Sequence, residues 1–173
     1  MLLCWVSEED IDSDKAYDAF VSYAQEDYVF VVHTLLPELE KSFKICHHER
    51  DFVPGEWIID QIQEKVDKSR RTIIVLTEPF LNSYWGMYEF RTAHAQAAKD
   101  NCARVIILIL GDMPPQETMP DEMKAYMSMN TYIKWDDKWF WEKLKYALPH
   151  PLARPIQELP MGEYTMVNPR VAR

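Results

Sequence analysis

Thr72-Ile73-Ile74-Val75-Leu76-Thr77 and Val105-Ile106-Ile107-Leu108-Ile109-Leu110 are apolar almost from end to end. Short runs of this kind, rich in β-branched residues, read as strands buried on both faces, the situation of strands inside a parallel sheet. Outward from them lie three more β-type runs: Tyr17–Tyr23 (YDAFVSY), Phe43–Cys46 (FKIC) and Thr131–Ile133 (TYI). Helical patterns fill the intervals. Ile58, Ile59, Ile62 and Val66 fall on one helix face, with Asp60, Gln63, Glu64 and Asp67 outside it. Phe140, Leu144, Ala147 and Leu148 form a similar stripe, which Pro149 stops. Tyr84 to Lys99 and Asp121 to Met129 also read as helices. So does Asp27 to Glu40, with Pro37 expected to kink or break its last turn.

Five strands alternating with five helices predict an α/β fold with a parallel sheet and helices on both faces. The simplest arrangement is the flavodoxin-like strand order 2-1-3-4-5. In such sheets, sites form beyond the carboxyl ends of the strands, where the order reverses between strands 1 and 3. That places Tyr23–Ala24, the loop after Cys46, and Thr77–Glu78 around one switch point.

Composition narrows the function. With 47% hydrophobic and 13% aromatic residues, the chain can build a full core. A net charge of −9 and the lack of a long basic block argue against nucleic-acid binding. The four glycines are too scattered for GxGxxG or a P-loop. Three cysteines, Cys4, Cys46 and Cys102, fit a reducing compartment. No signal peptide is visible, and no run approaches the roughly 18 apolar residues of a membrane helix. The opening MLLCWV fits either a loose apolar end or the stub of a membrane helix.

Charge divides the chain in three. Residues 1–15, with five acids and one Lys, read as a juxtamembrane or linker segment. Residues 16–149 read as the domain. Residues 150–173, which hold four of the eleven prolines, read as a C-terminal tail.

Three motifs resemble one family. Tyr17-Asp18-Ala19-Phe20-Val21-Ser22-Tyr23, Glu49-Arg50-Asp51-Phe52-Val53-Pro54-Gly55 and Phe140-Trp141 look like boxes 1, 2 and 3 of the Toll/interleukin-1 receptor (TIR) domain, in that order. Ser69 to Leu76, Met129 to Tyr132 and Trp139 to Pro149 resemble the cytoplasmic domains of Toll and Toll-like receptors, above all the invertebrate Toll branch. The resemblance implies a signalling domain on the cytoplasmic side of a membrane, within a single-pass receptor. It would associate with another receptor TIR domain and recruit a TIR-containing adaptor protein. No cofactor is implied.

The same resemblance assigns the residues. Arg50, Asp51, Phe52, Val53, Pro54 and Gly55 would bind the partner through the loop after strand 2. Independently, Pro54-Gly55 predicts a tight turn, because Pro fixes φ and Gly tolerates positive φ. Asp18, Phe20, Ser22, Phe140 and Trp141 would be structural, with Trp141 part-exposed. Ala19 and Val21 should face one side of the sheet, Phe20 and Ser22 the other.

An alternative reading is enzymatic. In TIR domains that cleave NAD+, a glutamate on the helix after strand 3 is catalytic, and Glu89, four residues after Trp85, matches it. A carboxylate there could stabilise the oxocarbenium-like ribosyl centre as nicotinamide leaves, with NAD+ as substrate. Trp85 and Glu89 are expected to face residues 47–56. A structural pairing of Glu89 with Arg91 or Arg50 is the competing expectation. Cys46-His47-His48 does not make a metal site, since successive strand residues point to opposite faces and no fourth ligand lies nearby in sequence. A phospho-accepting receiver is excluded because strands 1 and 3 end in Ser22-Tyr23-Ala24 and Leu76-Thr77-Glu78, without the required acidic pocket.

Overall fold

The computed structural model describes residues 12, 14–100 and 104–149. Cys4, Cys102 and the tail 150–173 lie outside them. Five strands form one parallel sheet: β1 (Tyr17–Ser22), β2 (Ile45–His47), β3 (Ser69–Leu76), β4 (Val105–Ile109) and β5 (Tyr132–Lys134), in the order β2-β1-β3-β4-β5. The flavodoxin-like expectation is met, with the reversal between β1 and β3; β3 is the middle strand, and β1, expected at the centre, lies between it and the edge strand β2.

The helices are α1 (residues 28–39), α2 (His48–Asp51), α3 (Ile58–Asp67), α4 (Glu78–Asn82), α5 (Tyr84–Asp100), α6 (Asp121–Met129) and α7 (Phe140–Ala147). Alternation along β1 splits the core. Phe20 joins Cys46, Ile74, Leu76 and Ile107 under α3, α4, α5 and α6. Ala19 and Val21 join Ile45, Ile73, Val75 and Leu108 under α1 and α7. Central strands buried this way must be apolar on both faces, which is why TIIVL and VIILI show no alternation.

Two strand boundaries differ from the sequence reading. β3 starts three residues earlier, at Ser69 rather than Thr72. Polar Ser69 and Arg70 concealed the extension, yet both are buried. β2 starts at Ile45, because Phe43 still belongs to the turn closing α1, its N–H donating to the Leu39 carbonyl at 2.9 Å. α1 runs through Pro37 to Leu39, close to the expected end at Glu40, and the distortion expected at the proline falls just ahead of it. The chain opens into a π turn over Val31–Leu35, with the Leu36 N–H reaching the Val31 carbonyl. That wider turn accommodates a proline ring that would otherwise press on the carbonyl four residues back.

The segment before β1 is tied to the sheet at one described residue. Asp12, expected in a loose segment, is 3% exposed. Its carboxylate accepts from Arg70 Nε and from Arg104 Nη1, each at 3.1 Å. Arg70 Nη1 also approaches Asp18 Oδ1 at 3.4 Å. A charge is buried at this depth only with partners, so residue 12 is part of the folded unit.

The C-terminal aromatics pack on one another. Trp135 meets Phe140 and Trp141 edge-on at centroid distances of 4.7 and 5.9 Å. Phe140 is buried in the core, and Trp141 is half-buried against it.

Candidate functional site

The connection from β2 to α3 is built in two parts. The first is α2, a single helical turn. Asp51 Oδ2 accepts the His47 N–H at 2.9 Å, closing the turn on the strand end. Arg50 donates to Glu40 Oε1 and to the Ile45 carbonyl, both at 2.5 Å, and lies 3.2 Å from Asp51 Oδ2. Arg50 and Asp51 therefore serve the framework, and they contact each other. Their polar atoms tie α2 to α1 and β2, while the Arg50 side chain stays 46% exposed.

The second part, residues 52–57, turns outward. Phe52 is not an exposed contact. It is half-buried and stacks on Phe20, with centroids 6.3 Å apart and planes 7° apart. From Val53 onward the chain is exposed. The Glu56 N–H reaches the Val53 carbonyl at 3.4 Å, with Pro54 and Gly55 between them and Gly55 at φ +91°. This is a type II turn, whose third position requires positive φ and hence favours glycine. An added Cβ at Gly55 would meet nothing within 4 Å, so conformation, not space, selects glycine there.

The exposed face is apolar. Val53 is 51% exposed and Trp57 81%, with Ile58 and Ile59 each more than a third exposed. The α3 stripe is thus only half core: Ile62 and Val66 are buried, while Ile58 and Ile59 face outward next to Trp57. Exposed apolar side chains gathered on a loop and the first turn of the helix after it are not required by the core. Neither Trp57 nor the outward isoleucines stood out in the sequence, because Ile58 and Ile59 fit the helix stripe and Trp57 lies just ahead of it.

Gln61 was also missed. It sits in the first turn of α3, 4% exposed. Its Oε1 accepts the Val53 N–H at 2.5 Å and its Nε2 donates to the Val53 carbonyl at 3.1 Å. A polar residue next to Ile62 on a helix otherwise patterned for burial was the available signal.

Behind the loop lies a cleft of about 160 Å³, lined by Tyr23, His48, Phe52, Ile58, Ser83, Trp85 and Glu89 among others. Trp85 and Glu89 do border this loop. Glu89 is 4% exposed. It accepts a hydrogen bond from the Ser22 hydroxyl, while Arg50 and Arg91 are engaged elsewhere, Arg91 with Glu122. Burial raises the Glu89 pKa from the ordinary 4.5 to about 7, partly offset by the Ser22 hydrogen bond. The cleft is smaller than the ~300 Å³ at which sites enclosing small molecules begin. It adjoins a more open cleft of about 560 Å³ with which it shares Ala24, Gln25 and Ser83.

Elsewhere, burial pushes the Cys46 thiol up to about 12, which leaves it unreactive. It also holds His47 and His48 below the usual histidine range. Asp18 accepts the Lys44 N–H at 2.8 Å, pinning the start of β2 to β1.

A profile of the TIR domain matches residues 16–161. The chain belongs to the TIR domain family. Among curated relatives, it is 46% identical to Protein toll of Drosophila melanogaster over 165 residues, covering 94% of this chain and 15% of that protein. It is 38% identical to Toll-like receptor 2 type-2 of Gallus gallus over 146 residues, covering 78% of this chain and 19% of that one. The chain thus spans less than a fifth of these relatives' length. Among solved structures, the TIR domain of the Toll-related receptor TRR-2 from Hydra magnipapillata superposes with a TM-score of 0.62 at 25% identity, over 76% of this chain and 97% of that one. A TIR-STING receptor from C. gigas, solved with 2',3'-cGAMP, shares the fold with a TM-score of 0.60 at 24% identity, over 80% of this chain and 41% of that one. The TIR match runs past Pro149, where the sequence pattern of the domain ended. Among the described residues no helix of this TIR domain is long and apolar enough to cross a membrane.

Proposed function

We propose that this chain is the signalling domain of a Toll-type innate-immune receptor, held on the cytoplasmic side of a membrane by a transmembrane segment outside the sequence given. It acts by associating with a second receptor TIR domain and by recruiting a TIR-containing adaptor. The observation that carries this reading is the apolar surface of Val53, Pro54, Trp57, Ile58 and Ile59. It is raised on a type II turn and held from behind by polar contacts that leave it outward-facing. Receptor pairing supplies the missing affinity, because tethering makes a weak second contact nearly intramolecular.

The test places the chain on an inducible membrane-bound dimer and follows association of the copies and capture of a co-expressed TIR-containing adaptor. Trp57→Ala and Pro54→His should abolish capture while both variants remain folded. Capture at the parental level by both folded variants would refute the assignment of this surface.

The second reading is NAD+ hydrolysis at Glu89. What favours it is the position of that carboxyl, titrating near neutrality at the base of a cleft at the sheet's switch point. Nicotinamide release by the purified chain, lost in Glu89→Ala, would establish it. Release that persists in the variant would remove Glu89 from the role.

A further inference from the structure

We propose that Gln61 is a positioning residue for the docking turn: its buried carboxamide fixes the conformation in which residues 53–57 are offered to a partner. The inference rests on the docking role proposed above for that segment. The geometry is specific. Oε1 takes the Val53 N–H, Nε2 gives to the Val53 carbonyl, and Nε2 also lies 3.5 Å from the Glu56 carbonyl. One side chain thereby copies the paired donor and acceptor of a neighbouring strand. It does so at the residue that opens the type II turn.

Nothing apolar could replace it. The turn carries its own Val53–Glu56 hydrogen bond, but that contact is long, at 3.4 Å. Trp57, the residue before α3, offers no side-chain cap to the helix. Val53, Pro54, Gly55 and Trp57 are exposed and gain no packing from the core. The loop's conformation therefore depends on Phe52 at its root and Gln61 behind its tip. Gln61 is itself rigid, because α3 is fastened to the core by Ile62 and Val66. A docking surface held before contact gives up less ordering entropy when a partner binds.

The donor–acceptor pattern supplies a test that separates positioning from a general structural role. Gln61→Met keeps the size and removes both hydrogen bonds. Gln61→Glu keeps both only while the introduced carboxyl is protonated, because a carboxylate cannot donate to the Val53 carbonyl. Amide hydrogen exchange of the full chain is read at Val53 and, as a control, at Ile73–Leu76 in the central strand. Protection at Val53 should fall at least about tenfold in the Met variant, with the strand amides unchanged. In the Glu variant, corrected for intrinsic rates, Val53 protection should exceed that of the Met variant at every pH, because even a carboxylate accepts the Val53 N–H, and should be greatest at acidic pH, where the protonated carboxyl also donates to the Val53 carbonyl. Association of two chain copies on an inducible dimer should follow the same order.

Val53 protection unchanged in the Met variant would overturn the proposal. So would a loss shared equally by the strand amides, which would make Gln61 merely structural. Loss of Val53 protection with undiminished association would separate the loop's order from docking and overturn the positioning role. If Pro54→His also associates normally, the docking surface itself is wrong, a failure distinct from that of Gln61.

Discussion

Glu89→Gln tests the buried carboxyl directly. The carboxamide matches the carboxyl in shape and still accepts from the Ser22 hydroxyl, so packing should be preserved. What changes is the ability to ionise. The native pKa is raised from 4.5 to about 7, so the unfolded chain releases this proton at lower pH than the folded one does. Below about pH 4.5 both states hold the proton and the group contributes no pH dependence. Between there and pH 7 the unfolded state binds fewer protons, so stability falls as pH rises; above pH 7 the loss is complete. A shift of this size corresponds to about 3 kcal/mol, as an upper figure. The Gln variant escapes it. It should match the parent near pH 4.5 and exceed it by up to about 3 kcal/mol at pH 8, or about 10 °C in Tm for a domain of this size. Urea unfolding of both proteins from pH 4.5 to 8 measures the difference. A variant less stable than the parent at pH 8, or an offset that does not change with pH, would refute a neutral, buried Glu89. The same protein bears on mechanism, because Gln cannot supply the negative charge that NAD+ cleavage at Glu89 requires.

Other substitutions separate fold from function. Pro54→His should cost only about 0.4–1 kcal/mol of stability through the unfolded chain, while adaptor capture and association of tethered copies are lost; calorimetry beside the association assay decides, and an unfolded variant would make Pro54 structural. Asp12→Ala leaves Arg70 and Arg104 buried without a shared counter-charge, and should destabilise by about 3 kcal/mol in chemical denaturation, toward the low end for broken buried pairs because Asp18 still faces Arg70. Gly86→Ala reverses the usual helix gain: the new Cβ would lie 2.8 Å from the ring of fully buried Phe80, so the variant should lose about 1–2 kcal/mol where an open helix site would gain.

The sheet was legible because its central strands are buried on both sides and their residues admit no other use. Strand order followed from alternation with helices, and the tight turn from Pro54-Gly55. What went unread shares one cause: a side chain's partner lies outside the element that carries it. Arg50, expected at a partner contact, also has a carbonyl acceptor on β2 and a carboxylate acceptor after α1, neither of which its own motif announces. Arg70 lay ahead of the strand pattern that starts at Thr72, and Asp12 supplies its counter-charge from 58 residues away. Phe52 looked exposed beside Val53 until Phe20 was found beneath it. Gln61 carries no local sign that both ends of its amide meet one residue of the preceding loop. Periodicity reports which face of an element is dry, and it says nothing of where a polar group finds its mate.

The buried Asp12 has a geometric consequence. It is held by Arg70 and Arg104, which stand where β3 and β4 begin, whereas the turn at Pro54 follows the opposite end of β2. β1, six residues long, separates the two levels by about 20 Å. The chain is therefore gripped at one pole of the sheet and carries the proposed contact surface at the other, with a stiff parallel scaffold between them. A twist or tilt imposed at the gripped pole would swing the contact pole as a lever, so the spacing and rotation of two tethers could decide whether their far ends meet. Loosening Asp12 would slacken that lever at its fulcrum even with every docking residue intact.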